Sequence, residues 1–339
     1  MKITAIHEQF PLARSFTISR GSRTHVDVVK VTIEHNGITA EGECTPYARY
    51  GETVESVIEQ IKHVANHAEH HSSLHDSDLS SSDLYSVELH KSLPQLLSAG
   101  AARNAIDCAL WRLEQQQKGI GFPTQSFDIQ SNIITAMTVS IDTPEIMAEQ
   151  AREYCELGAK LLKVKLDSEQ IIERVKAIRT AIQVIAPDTK IILDANEAWG
   201  ELDLNAIFSQ LAELNITMIE QPVAKGEDNK LLGIPHPVPV CADESCHTSQ
   251  DLALLLGCYE MVNIKLDKTG GLTEALALES KAIEMGFNVM VGCMLGTSLA
   301  MEAALPIASR AEIVDLDGPV LLAHDRENGL RYQSGYIVI

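Results

Sequence analysis

Aromatic residues are scarce in this chain, 4% of 339 residues with two tryptophans, which leaves few platforms on which nucleobases stack. Positive charge is scarce too. The 27 lysines and arginines stand against 47 aspartates and glutamates, a formal net charge of -20, and that balance opposes binding to nucleic acid or to anionic membrane surfaces. No apolar run reaches transmembrane length, and the opening M-K-I-T-A-I-H-E-Q turns polar before a signal-peptide core develops. The seven cysteines contain no C-x-x-C pair, and their odd number reads as reduced thiols. These absences point to a cytoplasmic protein whose partner is a small molecule.

Two kinds of pattern divide the chain. Over the first 122 residues, short alternating β-like runs (Ile3 to Phe10, Asp27 to Glu34, and I-T-A-E-G-E-C after Asn36-Gly37) precede helical spacing over 53–71 and 101–118. Asn-Gly between alternating runs is a hairpin signal. This is an α+β module. Its His63 and His67, one helical turn apart, suggest a metal patch, but no H-E-x-x-H pattern surrounds them, and with His70, His71 and His75 they read as a solvated helix face running into a polar loop.

From residue 123 to 319 the pattern becomes eight apolar runs alternating with amphipathic segments: T-A-M-T-V-S-I, L-L-K-V-K-L, I-I-L-D-A-N, M-I-E-Q-P, V-P-V-C-A-D-E-S, M-V-N-I-K-L-D, V-M-V-G-C-M and I-V-D-L-D-G. The helical segments stop at glycines such as Gly158 and Gly286, as helix C-termini do. Eight β/α repeats with buried-type strands predict an α/β fold, a (β/α)8-like barrel. The closing segment, 320–339, ends in another β-like run, expected to return to the first module.

Ionisable residues fall at the ends of these runs, where such a barrel builds its site. Asp194, Glu220 and Asp243 end three successive strands, and three converging carboxylates need a cation. An all-oxygen set suits Mg2+. Lys163 and Lys165, two apart on one strand face, and Lys265 lie on the second and sixth strands, across the barrel from each other. Two amines on opposite sides of a bound substrate remove a proton from one face and deliver it to the other, inverting the carbon between them. Mutual repulsion between Lys163 and Lys165 is expected to lower their proton affinity. Asp315 and Asp317 share the eighth strand and await a cationic partner. Gly270-Gly271 lacks the G-K-[ST] of a phosphate loop and reads as a tight turn. Cys293 and Met294, ending the seventh strand, read as pocket wall.

K-V-K, D-A-N, I-E-Q-P, A-D-E-S and N-I-K-L-D-K-T-G-G, in that order, resemble the enolase superfamily, muconate-lactonizing subgroup. The likeness runs over essentially the whole chain, with G-E-C-T-P-Y and A-A-R-N-A-I-D-C-A-L-W similar to the family's capping domain. It implies a modified (β/α)7β barrel, Mg2+ on Asp194, Glu220 and Asp243, Lys165 and Lys265 as acid/base catalysts working through a metal-stabilised enolate, and Lys163 as an electrostatic aid. D-L-D-G-P is similar to the D-x-D of dipeptide epimerases, which implies that Asp315 and Asp317 bind a substrate α-ammonium. The implied reaction is epimerisation of L-Ala-L-Glu and L-Ala-D-Glu dipeptides in murein peptide metabolism. Arg20 or Arg23, in S-R-G-S-R-T, would meet the Glu side chain. An N-acylamino-acid racemase, an o-succinylbenzoate synthase and a non-catalytic binding barrel are the alternatives, and association into a homo-oligomer is left open.

Overall fold

The computed structural model describes residues 1–72 and 79–339. The first module opens with a three-stranded antiparallel sheet, β1 (Lys2–Ile18), β2 (Gly21–His35) and β3 (Ile38–Cys44). Asn36 and Gly37 form the turn between β2 and β3 with φ of 51° and 76°, the left-handed pair that a two-residue hairpin requires. Helices α1 (Val54–Ser72), α2 (Leu79–Leu96) and α3 (Ala101–Gln117) cover one face of the sheet. They enclose a core that includes Val29, Val31, Ile33, Leu93, Ile106 and Leu110. His63 and His70 are exposed on α1, and His75 lies outside the described residues.

Two features of this module depart from the sequence pattern. The hairpin runs further than the alternating runs indicate: β1 and β2 stay paired out to Ile18 and Gly21, past an irregularity between Pro11 and Phe16. Helix α2 takes part of a stretch that reads as a polar loop. Its S-S-S-D start favours competing local hydrogen bonds over helix, but further along Leu89 and Leu93 are 2% and 1% exposed, and that burial decides the matter.

Strand β4 (Asn132–Ile134) leads into a barrel in which β5 (Met137–Val139), β6 (Leu161–Lys165), β7 (Lys190–Asp194), β8 (Met218–Glu220), β9 (Val240–Ala242), β10 (Met261–Ile264), β11 (Asn288–Gly292) and β12 (Ile313–Asp315) lie side by side in chain order. All neighbours pair in parallel. These are the eight apolar runs. The connections carry α4 (Pro144–Glu156), α5 (Ile171–Ile182), α6 (Leu204–Ala212), α7 (Leu252–Leu255), α8 (Leu266–Thr269), α9 (Leu272–Glu284), α10 (Ser298–Ala308) and α11 (Gly318–Leu321).

The ring closes between β12 and β5 through Ala136 N–H on the Val314 carbonyl at 2.8 Å, Leu316 N–H on Thr135 Oγ1 at 2.9 Å and Thr138 N–H on Asp317 Oδ2 at 2.7 Å. Within it, one residue from each strand forms an apolar layer: Ala136, Leu161, Ile192, Met218, Cys241, Met261, Met290 and Ile313. Alternate residues such as Val164, Leu193, Ile219 and Val262 face outward into the core under the helices, as the period of two demands.

The final run forms β13 (Arg331–Gln333) and β14 (Tyr336–Val338), and β14 pairs with β4 rather than with the β1–β3 sheet. Contact with the first module comes earlier in that segment. Ala323 N–H bonds to the Pro11 carbonyl at 2.9 Å, and the Arg326 guanidinium reaches Glu8 and, at 2.7 Å, Glu43.

Candidate active site

Two residues beyond the apolar layer on each strand, the interior changes character. Lys163 follows Leu161, Asp194 follows Ile192, Glu220 follows Met218, Asp243 follows Cys241, Asn263 follows Met261 and Asp315 follows Ile313. On a strand these pairs share one face, so a ring of polar and charged groups sits directly above the dry layer. Lys165 and Lys265 extend it by one further step. Asp194, Glu220 and Asp243 are 0%, 0% and 1% exposed, and Lys163, Lys165 and Lys265 are 1%, 8% and 6% exposed.

The charges neutralise one another. Lys163 Nζ lies 3.2 Å from Asp194, 2.7 Å from Glu220 and 2.8 Å from Asp315. Lys165 Nζ lies 2.5 Å from Asp194, and Lys265 Nζ 2.6 Å from Asp243. The expected mutual weakening of the Lys163–Lys165 pair is therefore absent for Lys163. Burial opposes its charge, but Asp315, Glu220 and Asp194 outweigh burial and hold the ammonium well above the ordinary lysine range. Lys265 is raised for the same reason, burial being overcome by Asp243 and Glu220. Against burial, Lys165 and Lys163 pull the Asp194 carboxyl down, and Lys265 and Lys268 do so for Asp243. Glu220 goes the other way, raised by burial and by the Asp194 charge.

Lys268 and Asn263 escaped the sequence reading. Lys268 Nζ, 1% exposed, donates to Asp243 Oδ1 at 2.7 Å, to the Asp243 carbonyl at 2.5 Å and to the Asn263 carbonyl at 2.9 Å. Asn263 Nδ2 donates to Glu220 Oε1 at 2.7 Å. Asn263 lies two residues before Lys265, so the face rule that linked Lys163 to Lys165 was the available signal. Gly292 on β11 is what leaves them room. A Cβ there would stand 2.8 Å from the Asn263 amide and 3.1 Å from Lys265 Cε. Gln221 fixes the ends of β8 and β9 by accepting Asp243 N–H at 2.8 Å and Ser245 N–H at 3.1 Å.

Above the ring lies a cavity. Lys163, Lys165, Lys265, Asp243, Asp315 and Asp317 reach it from the barrel, with Cys293 and Met294 as wall; Phe16, Ile18, Arg20, Arg23, Tyr47 and Tyr50 of the first module roof it. Burial pushes the Cys293 thiol well up, which suits a wall and not a nucleophile. Asp315 Oδ1 is buried without a hydrogen bond among the described residues. Burial and the Asp315 charge raise the Asp317 carboxyl to about 7. A cation entering between these two groups satisfies both.

The two loop arginines differ in their surroundings. Arg20 is engaged, donating to the Asn196 carbonyl, Glu197, Tyr47 and Glu244 at 2.8 to 3.2 Å. The Arg23 side chain makes no hydrogen bond or ion pair among the described residues, and its guanidinium stands 5.4 Å from the centre of the Tyr47 ring. At Gly270-Gly271 the Arg103 guanidinium and Asp107 carboxylate take the space beside the backbone, as suits a tight turn.

Among the described residues, no three acidic, histidine or cysteine side chains stand arranged around one ion, because each carboxylate is drawn onto an ammonium. Their chemistry nonetheless fits a hard cation. Three carboxylates buried together offer only oxygen donors, the set that suits a hard divalent cation.

Residues 1–122 match the family model described as mandelate racemase / muconate lactonizing enzyme, N-terminal domain, and residues 146–339 match enolase C-terminal domain-like. The chain is 48% identical to an L-Ala-D/L-Glu epimerase of Escherichia coli K12 over 98% of both proteins. It is 43% identical to an N-acetyl-D-glutamate racemase of a Pseudoalteromonas species over 91% of both. A crystal structure from Agrobacterium tumefaciens, an enolase family member holding sodium and L-Ala-L-Glu with an ordered loop, superposes with a TM-score of 0.88 at 43% identity, covering 99% of this chain and 97% of that one. The dipeptide epimerase of Enterococcus faecalis V583 complexed with Mg and L-Leu-L-Tyr also gives 0.88, at 29% identity, covering 100% of this chain and 96% of that one.

Proposed function

The chain belongs to the enolase superfamily, in its mandelate racemase and muconate-lactonizing branch, and on that premise we propose that it is a dipeptide epimerase that inverts the carbon next to the C-terminal carboxylate of L-Ala-L-Glu. One observation carries the reading. Lys165 and Lys265, on strands four apart in a ring of eight, reach one cavity, and the acids of β7, β8 and β9 fill the arc between them. Such an arrangement serves proton transfer on two opposite faces of one carbon.

Asp194, Glu220 and Asp243 would hold Mg2+. When bound, that ion takes over neutralisation of the three acids and stabilises charge developing on the substrate carboxylate as the adjacent carbon is deprotonated. Lys165 would be released from Asp194, and Lys265, released from Asp243, would lose the anion that strengthens its hold on a proton. One takes the proton of the Glu α-carbon and the other returns a proton to the opposite face. Lys163, between Glu220 and Asp315, stays charged and lends positive potential to the same region.

Asp317 and the unpartnered oxygen of Asp315 receive the α-ammonium of the first residue. Arg23, unpaired and bordering the cavity, takes the Glu side-chain carboxylate; Arg20 is occupied elsewhere. The apolar roof of Phe16, Ile18 and Tyr50 limits water at the reacting carbon.

The test is incubation with L-Ala-L-Glu and Mg2+ in D2O, followed by proton NMR. The Glu α-proton signal should vanish as L-Ala-D-Glu appears. No exchange at saturating dipeptide defeats the proposal. Exchange of N-acetylglutamate in preference to the dipeptide would transfer the reading to N-acyl amino acids, which lack the ammonium that the Asp315–Asp317 pair awaits.

A further inference from the structure

The β1–β2 hairpin ends in a turn at Ser19-Arg20, with Ile18 opposite Gly21 and Phe16 opposite Arg23. Its tip sits on the barrel rim. Ser19 Oγ donates to the Asn196 carbonyl at 3.1 Å, and Arg20 NH1 donates to the same carbonyl at 3.1 Å and to Glu197 at 3.2 Å. Arg20 NH2 donates to Glu244 Oε1 at 2.8 Å. These partners are not arbitrary rim residues: Asn196 and Glu197 follow Asp194, and Glu244 follows Asp243.

Asn196 and Glu197 are consecutive non-glycine residues with φ of 42° and 71°, a strained conformation that persists only when its surroundings enforce it. Asn196 N–H donates to Asp194 Oδ1 at 2.9 Å, and Glu197 N–H to the Gln221 carbonyl at 2.8 Å. One short strained segment thus orients the Asp194 carboxylate through its N–H and accepts the hairpin through its carbonyl. Glu244 Oε2 has no hydrogen bond among the described residues, so Arg20 alone anchors that side chain from the hairpin.

We propose that Arg20 is a positioning residue that couples docking of the β1–β2 hairpin to the Asp194–Asp243 carboxylate cluster. The hairpin docks more firmly when a divalent cation is held, and the cation is held more tightly when the hairpin is docked, by the same factor in both directions. Arg23, three residues beyond Arg20, is thereby set over the cavity only when the cluster beneath is in order. This rests on the reading that the three acids hold a cation, and not on which substrate is turned over.

Hydrogen exchange of the amides of residues 16–24, with and without Mg2+ and without substrate, reads the coupling from the hairpin; calorimetric titration of Mg2+ reads it from the cluster. In the unaltered protein Mg2+ should slow hairpin exchange at least about 5-fold. Arg20→Met should make that exchange fast and insensitive to Mg2+ and weaken Mg2+ binding by the same factor. Arg20→Lys, which keeps the charge toward Glu244 and loses the fork to Asn196 and Tyr47, should fall between. If Arg20→Met fails to fold, as judged by circular dichroism, Glu244→Gln weakens the same link from the barrel side and should give a partial loss of both the hairpin response and Mg2+ affinity. Mg2+ binding with no response in the hairpin, or wild-type Mg2+ affinity in Arg20→Met, overturns the inference alone. No Mg2+ binding by the unaltered protein overturns it together with the cation reading.

Discussion

Two layers of the barrel interior lie one strand step apart and differ completely. The lower, from Ala136 round to Ile313, is apolar; the upper carries Lys163, Asp194, Glu220, Asp243, Asn263 and Asp315 in equal burial. The lower layer is stable because it removes apolar surface from water and leaves no polar group unmet. The upper layer persists only because every charge has an opposite one within hydrogen-bond reach, and removing one partner of such a pair costs far more than the pair contributes. The charged groups are thus stacked on a floor that bears no charge, and the floor keeps water from reaching them from below.

The largest effect should come from moving the boundary. Met218→Glu places a carboxylate in the apolar layer with no cation beside it, and a loss of about 4 kcal/mol or more in urea unfolding is expected. Near-native stability would mean that the floor is not dry.

Within the upper layer, Lys165→Ala and Lys265→Ala should each reduce α-proton exchange by about 10²- to 10⁴-fold. Each should fail first with a different epimer in single-turnover deuterium uptake. Equal loss from both epimers would deny the two amines separate faces.

Next, Asp317→Asn should raise KM for L-Ala-L-Glu by about 10- to 100-fold, since a charge-assisted hydrogen bond contributes about 1.5–3 kcal/mol. N-acetylglutamate exchange, if measurable, should barely change. Asp317 is a cleaner probe than Asp315, whose loss would also strand Lys163.

The last effect concerns pH. The folded chain holds the Asp317 proton up to about 7, raised from the ordinary 3.8, whereas the unfolded chain releases it near the ordinary value. The folded state binds more protons between these values, so this group's contribution to stability falls as pH rises from about 4 to 7 and levels off above. The difference between pH 5 and 8 should be about 2–3 kcal/mol without Mg2+. It should shrink in Asp317→Asn, and urea midpoints at the two pH values measure it.

Most of the barrel was legible because six of its eight strands announce themselves twice, as an apolar run and as an ionisable residue near the end; residues 161–165 and 261–265 are examples. What escaped depends on partners far away in sequence. The neutralisation of Lys163 comes from Asp315, 152 residues on, so reading Lys163 with its neighbour Lys165 alone gave the wrong sign. Lys268 escaped because only the fold brings it against Asp243. The pairing of β14 with β4, and not with the first sheet, is likewise set by register between distant segments. The difference between Arg20 and Arg23 was also invisible, since it is a matter of which guanidinium already has partners.

The seam at β5 and β12 joins these themes. Where the other staves are held by repeating ladders, this joint uses three single hydrogen bonds, and one acceptor is the same Asp317 that faces the cavity. A cationic ligand drawing on that carboxylate shares it with Thr138 N–H. The proposed recognition element and an acceptor in the seam of the cylinder are therefore one residue, Asp317.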